Sequence, residues 1–327
     1  MIDDVVTVCA PARLHLGFLD PGGSLGRRFG GIGLALEEPT TRVAIRRAFA
    51  DTVDGPHAER AADYLDRMRK GLDLTGQYDL QIVSAMPAHS GLGSGTQLAL
   101  AVACGLRRLE GRNLDPARDA ALLGRGNRSG LGASFVTGGG VAVDGGKGQS
   151  DLPPPLVARM PFPESWRAIL VMDPRDEGFH GQAELDAFAD LPLFAEADAA
   201  RICQLVLLLA LPGLAESDLP AFGAAISEIQ EIVGQHFAPA QGGVFTSAKV
   251  GRVCGWLADH GAHGIGQSSW GPTGFAFAES PEFAERLVAE LRDLDIAAGL
   301  EIRIVAGRNH GIEIARSPAL ARRSGSG

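Results

Sequence analysis

Pro87 to Leu106 reads PAHSGLGSGTQLALAVACGL. Three glycines and two hydroxyl residues crowd into Gly91–Thr96, directly ahead of an apolar stretch. This order predicts a tight turn opening a helix that runs from Thr96 to Leu109. A helix start leaves backbone N–H groups unpaired and carries partial positive charge, and glycines let an anion approach the backbone closely. Gly91, Gly93, Ser94, Gly95 and Thr96 are therefore a candidate phosphate cradle, although the same residues would also make an ordinary capped turn. The loop lacks the lysine of GxxxxGK[ST] and the spacing of GxSxG. It also puts Thr96 where the third glycine of GxGxxG would stand, which argues against P-loop, hydrolase and dinucleotide readings.

On the N-terminal side, Val5–Ala10, Arg13–Leu19 and Ile32–Arg47 read as strands, the last two separated by the Gly-rich DPGGSLGRRFGG. A helix is expected from Pro56 to Leu72, with Ala61, Tyr64, Leu65, Met68 and Leu72 at helical spacing. On the C-terminal side, Asp115-Pro116 predicts a capped helix start. The Pro-rich SDLPPPLVARMPFP is the best boundary in the chain. We expect an α+β protein with one domain over 1–155, a second over 156–316 and a frayed tail over 317–327. The second domain begins with the strand WRAILVMDP, passes through helices between Gln182 and His260, and ends in strands near 264–267, 274–278 and 300–305.

Composition narrows the functional classes. A net charge of -9 disfavours a broad nucleic-acid or anionic-membrane surface, so any phosphate site must be local. Only three of the 30 basic residues are lysines, and fixed anion contacts would fall to arginine forks. The four cysteines lie far apart without metal-ligand spacing, and we expect reduced thiols. Leu205–Leu211, the most apolar run, is short for a bilayer and is expected to stop at Pro212. A cytoplasmic protein without a membrane partner is the expectation, and a homodimer is the expected assembly.

Three segments in order resemble the GHMP kinase superfamily: APARLHL (Ala10–Leu16), PAHSGLGSGT (Pro87–Thr96) and GQSSWGPTGFAF (Gly266–Phe277). The resemblance implies a two-domain GHMP-kinase-like fold, with an N-terminal domain like ribosomal S5 domain 2, a ferredoxin-like C-terminal domain and the site between them. In many of these kinases a PSGxD segment supplies an aspartate that acts on the substrate hydroxyl. Here the similar stretch is RSGLGA, and Gly132 stands in that place without a titratable atom.

A narrower family resembles the chain over longer blocks: RLHLGFLDPGGSLGRRFGGIGLAL (Arg13–Leu36), GRGNRSGLGASFVTGGGVAVDGG (Gly124–Gly146) and EGFHGQAELDAF (Glu177–Phe188). It is the β-ribofuranosylaminobenzene 5'-phosphate synthase family of tetrahydromethanopterin biosynthesis. That resemblance implies condensation of 5-phosphoribosyl-1-pyrophosphate (PRPP) with 4-aminobenzoate, releasing CO2 and pyrophosphate. It also implies Mg2+ carried by the substrate pyrophosphate, no assigned protein metal ligand and no redox cofactor. An ATP-dependent small-molecule kinase and a non-catalytic sensor on the same fold are the competing readings.

The resemblance puts Asp20 and Arg27 first as catalytic candidates, Arg27 clamping a phosphate or carboxylate and Asp20 orienting sugar, metal or amine. Arg28 is a candidate substrate contact, and an Asx turn at LDPGG beside a solvated arginine pair, Arg27 and Arg28, is the alternative. Arg125 and Arg128 are candidates for pyrophosphate or for a charged surface turn. Ser268 and Ser269 are candidates for a second anion contact or a polar turn. His15 reads either as a substrate contact or as a buried strand histidine. His180 and Glu184, four apart, read as a surface pair or as substrate contacts. His260 and His263 are assigned no metal.

Overall fold

The computed structural model describes residues 4–175, 191–269 and 271–318. Two long antiparallel strands, β1 (Asp4–Asp20) and β2 (Phe29–Ala48), form its spine. The two strands expected within the first 20 residues are one strand, continuous through register shifts at Pro11/Ala12 and His15/Gly17. Such a bulge bends a strand and changes which side chains share a face.

β2 is long enough to serve two neighbours. Its far half, Arg42–Ala48, pairs with β4 (Gln77–Ser84), on which the short β3 (Thr52–Asp54) lies parallel. Its near half, Gly31–Leu34, pairs with β5 (Val141–Asp144), followed by β6 (Leu156–Met160). The far half is covered by the helices Ala58–Gly71 and Ser94–Leu109, which press Leu98, Val102 and Leu106 onto Val8, Val43, Ile45 and Leu80. Burying such aliphatic side chains contributes about 1.5–3 kcal/mol each, which exceeds any local helix propensity.

The second unit has a four-stranded antiparallel sheet in the order β10-β7-β9-β8, from β7 (Arg167–Met172), β8 (His263–Gln267), β9 (Gly274–Ala278) and β10 (Glu301–Ala306). Numbered along the chain, that order is fourth, first, third, second, with helices in the two crossovers: the ferredoxin-like plan. One face packs on the helices Ala248–Asp259 and Pro281–Arg292 through Ile169, Val253, Leu257, Ala276 and Leu287. The other face, with Leu170, Phe275 and Phe277, joins the helix Leu219–Gln241 and the near halves of β1 and β2 in one continuous core.

Two sequence expectations shift. Leu156–Met160 was assigned to the second domain but extends the first sheet, and β11 (Glu313–Pro318) returns beside β1, pairing Ser317 with Val5 and Pro318 with Asp4. Chain order misleads here because sheet edges are completed by whichever segment offers backbone groups in register. The apolar run does not stop at Pro212 either. A helix continues over Glu196–Glu216, which by length and composition could cross a membrane. Pro212 falls in a first helical turn, after a π-helical turn at Val206–Ala210, where its missing N–H is tolerated. Ile202, Leu205, Ala210 and Leu214 of this helix are buried in the core.

Candidate active site

The loop 87–93 brings the chain to the helix Ser94–Leu109 through two left-handed glycines, Gly91 and Gly93, each at φ +81°. Gly93 caps the helix without a side chain, and no acidic residue lies in the first turn. The helix start therefore faces outward with its positive end uncompensated.

Two other segments close around this turn. The Ser268 hydroxyl donates to Gly91 O (2.8 Å) and accepts from the His15 N–H (2.9 Å), while Thr273 Oγ1 donates to Ser90 O (2.7 Å). A Cβ on Gly91 would collide with the Ser268 carbonyl, so glycine also permits the contact between the loops. Ser268, expected as an anion contact, is instead fully buried, and its hydroxyl ties the two halves of the fold together. Its neighbour Ser269, at φ 58°, lines the open cavity beyond.

That cavity measures about 320 Å³ and is lined by Arg13, Arg125 and Arg128, with Thr96, Ser129 and Asn127 as neutral polar groups. Among the described residues, none that lines it is acidic. The Arg13 side chain runs against the cap, so that a Cβ on Gly93 would lie 2.9 Å from its Nε. Arg125 donates to the Tyr64 hydroxyl and lies over the Tyr64 ring, 5.4 Å from guanidinium carbon to centroid. A Cβ on Gly95 would sit 3.3 Å from Arg125 Nη2, so this arginine borders the helix start as well. Ser94 stands in the first turn but does not line the cavity.

Asp144 supports the wall from behind. Its carboxylate accepts from Gly130 N (2.8 Å), Ser129 Oγ (3.1 Å) and Gly146 N (3.1 Å), and is fully buried. Burial pushes its pKa upward, against the pull of those donors and of Arg13. His15 sits at the cavity's inner edge with Nε2 buried and without a hydrogen-bond partner among the described residues. Burial first, and then the charge of Arg13, push its pKa down to about 3, so the ring is neutral near pH 7.

Gly132 opens onto the same corner from the helix Leu131–Thr137. A Cβ there would lie 2.6 Å from Thr96 Cγ2. The Thr96 methyl thus fills the space that a side chain at 132 would enter, and among the described residues no carboxylate lies in the lining.

Asp20, Arg27 and Arg28 lie elsewhere, on the β1–β2 turn. Asp20 accepts from Gly23 N (2.8 Å), Ser24 N (2.7 Å) and Ser24 Oγ (2.8 Å), an Asx turn. Arg27 donates to the carbonyls of Gly145 and Gly146, both at 2.7 Å, and Arg28 lies over the Phe29 ring at 5.2 Å. Asp20 and Arg27 border a separate, largely apolar cavity of about 300 Å³ with Leu19, Leu25 and Phe29. Their hydrogen-bonding groups serve the turn and the neighbouring strand end, the Asx-turn arrangement, and the structure does not bring them into the arginine cavity. His180 and Glu184 fall outside the described residues.

Sequence reasoning missed Arg13, Phe18, Tyr64, Asn127, Ser129 and Asp144. Strand alternation held the signal for Arg13, which is two residues from His15 and shares its face. No alternation rule finds Phe18, because the register shift between His15 and Gly17 brings its ring 4.5 Å from the His15 ring.

A Gly-rich helix start clamped between two α+β units is the arrangement of a GHMP-type protein. The descriptions "GHMP kinases N terminal domain" and "GHMP kinases C terminal" match residues 56–140 and 210–296. Homoserine kinase from Cytophaga hutchinsonii superposes with a TM-score of 0.70 at 19% identity, covering 96% of this chain and 98% of that one. Mevalonate diphosphate decarboxylase from Staphylococcus aureus does so with 0.67 at 16%, with the same coverage. Within that superfamily the sequence is 34% identical to the β-ribofuranosylphenol 5'-phosphate synthase of Archaeoglobus fulgidus, over 93% of this chain and 97% of the relative. It is 31% identical to the enzyme of the same name from Methanothermobacter thermautotrophicus, over 92% and 96%. The chain belongs to the β-ribofuranosylphenol 5'-phosphate synthase family and is an enzyme.

Proposed function

We propose that this enzyme joins the anomeric carbon of PRPP to the carboxyl-bearing ring carbon of a para-substituted benzoate, releasing pyrophosphate and CO2. The observation that carries the reading is the cavity lined by three arginines at an uncompensated helix start, with no carboxylate in its lining among the described residues. Arginine forks and helix N–H groups bind phosphate oxygens by charge-assisted hydrogen bonds. Stabilising charge that develops on a leaving group is the term such a site supplies best.

The electron accounting needs no protein base. The C1–O bond breaks with its electron pair on pyrophosphate, and the ring π electrons form the new C1–C bond. Loss of CO2 returns a pair to the ring and restores aromaticity. A cavity with a neutral His15 of pKa about 3 and, among the described residues, no carboxylate suits a reaction that hands the protein no proton. Kinase chemistry on an alcohol is disfavoured on the same ground, since Gly132 leaves the substrate hydroxyl without its aspartate.

Thr96, Ser129 and Asn127 could offer a divalent cation only neutral oxygens, whereas Mg2+ prefers anionic oxygen ligands. That donor set fits a cation held mainly by the substrate pyrophosphate. When bound, the cation would supply further charge neutralisation on the leaving group.

The test mixes purified protein, Mg2+, PRPP and carboxyl-labelled 4-hydroxybenzoate or 4-aminobenzoate, with ATP alone as control. Labelled CO2 released one-for-one with a riboside phosphate is the expected result. ADP formation from ATP and a small alcohol, with no CO2 from either acid, overturns the reading.

A further inference from the structure

PRPP carries two unlike anions. Its pyrophosphate, on the anomeric carbon, has two phosphoryl groups and departs, whereas its 5'-phosphate has one and stays. The arginine cavity is uneven in the same sense, because its three arginines do not stand alike around the helix start.

Arg13 and Arg125 bracket the first turn of the helix Ser94–Leu109. A Cβ on Gly93 would lie 2.9 Å from Arg13 Nε, and a Cβ on Gly95 would lie 3.3 Å from Arg125 Nη2. Arg13 and Arg125, not Arg128, are thus the side chains nearest those two glycines. Thr96 N–H and Gln97 N–H both donate to Gly93 O, at 3.1 and 3.0 Å. The N–H groups of Ser94 and Gly95 are left without a protein acceptor among the described residues. Arg125 is fixed by the Tyr64 hydroxyl, while its buried Nε has no protein acceptor among the described residues. Arg128 lines the cavity from the turn that also carries Asn127 and Ser129.

We propose that PRPP lies across this cavity in one orientation, its pyrophosphate on the helix start between Arg13 and Arg125 and its 5'-phosphate toward Arg128. The inference rests on the phosphoribosyl-transfer reading and deepens it. A diphosphate presents oxygens on two phosphoryl groups and can meet two guanidinium forks and the helix N–H groups together; a monoester has oxygens on one. As the C1–O bond breaks, its electron pair passes to pyrophosphate, so negative charge grows at that end alone. Donors fixed in place before the reaction stabilise growing charge best, and the helix start and the braced Arg125 are such donors. The charge of the 5'-phosphate does not change, and its contacts hold ground state and transition state alike.

The test titrates the full chain, with Mg2+, against inorganic pyrophosphate and against ribose 5-phosphate by calorimetry. Arg125→Ala should weaken pyrophosphate binding about tenfold or more and ribose 5-phosphate binding less than about threefold. Arg128→Ala should do the reverse. Tyr64→Phe keeps the ring but frees the arginine, and should weaken pyrophosphate alone by about threefold. In turnover with PRPP and either acid, Arg125→Ala should lower kcat about tenfold or more. Arg128→Ala should raise the KM for PRPP and leave kcat within about threefold.

An Arg125→Ala protein that loses ribose 5-phosphate more than pyrophosphate overturns the orientation, as do variants that weaken both probes equally. Wild-type protein that turns over yet binds no pyrophosphate overturns it too. In each of those cases CO2 release by the wild type leaves the transfer reading standing. Wild-type protein that releases no CO2 from either acid overturns that reading, and the orientation with it.

Discussion

The Arg125 guanidinium rests on the Tyr64 ring and donates to its hydroxyl, and that hydroxyl reaches the Gly95 carbonyl at 3.4 Å. One phenol thus joins this arginine to the first turn of the helix Ser94–Leu109. A cation held this way loses little rotamer freedom when a phosphate arrives, because tertiary packing has already fixed it.

Removing the charge and removing the brace should differ in size. Arg125→Ala is expected to weaken PRPP binding roughly 10- to 100-fold, the range of a lost charge-assisted contact. Tyr64→Phe keeps the ring and loses the hydroxyl, for a weakening of about 3- to 10-fold. Isothermal titration with PRPP and Mg2+ measures both, and equal effects would show that the brace does more than hold the arginine.

Gly132 and Thr96 should behave as a coupled pair. A methyl at 132 would lie 2.6 Å from Thr96 Cγ2, so Gly132→Ala is expected to cost about 1–3 kcal/mol and to weaken PRPP binding. Thr96→Ser removes the opposing methyl, and the double variant should recover most of the stability. A double-mutant cycle by urea denaturation checks this, and simple additivity would contradict the contact.

Ser268 should matter to stability more than to affinity. Ser268→Ala strands the Gly91 carbonyl and the His15 N–H, a loss of about 2–4 kcal/mol for two buried groups. Thermal unfolding should show a clear fall in Tm. A large loss of PRPP affinity with an unchanged Tm would return the hydroxyl to the ligand.

Acid should destabilise the fold through His15. The folded pKa is pushed down to about 3 by burial and Arg13, below the ordinary 6.5. Between those values the unfolded chain binds the extra proton, so this contribution is complete above pH 6.5 and is lost as pH falls toward 3. The slope is roughly 1.4 kcal/mol per pH unit for one proton. His15→Asn should flatten the dependence of unfolding free energy on pH in this window, and an unchanged slope would refute the assignment.

Much of the frame was legible because it depends on local rules. Asp115 was read as a helix cap, and its side chain accepts from Arg118 N at 3.2 Å. The helix expected over Pro56–Leu72 is Ala58–Gly71, since the spacing of Ala61, Tyr64, Leu65 and Met68 is the spacing of a buried face. The Asx turn at LDPGG was also readable, as the alternative to catalysis by Asp20. The family resemblance put catalysis first, and a sequence does not record which hydrogen bonds a carboxylate has made.

The sequence by itself determined the Gly-rich helix start, the absence of a kinase-type aspartate at Gly132, and the family. Each is written in contiguous residues. Tertiary structure alone decided which polar groups meet the ligand space. Ser268 and Ser269 are neighbours, yet one is buried as a staple and the other lines the cavity. Arg27 and Arg125 are alike in sequence terms, yet one holds backbone carbonyls and the other faces the helix start. Those outcomes turn on the register shift in β1 and on segments such as Ser90 and Thr273, far apart in the chain, meeting in the fold. The cost of burying polar groups without partners is settled only once those segments have met.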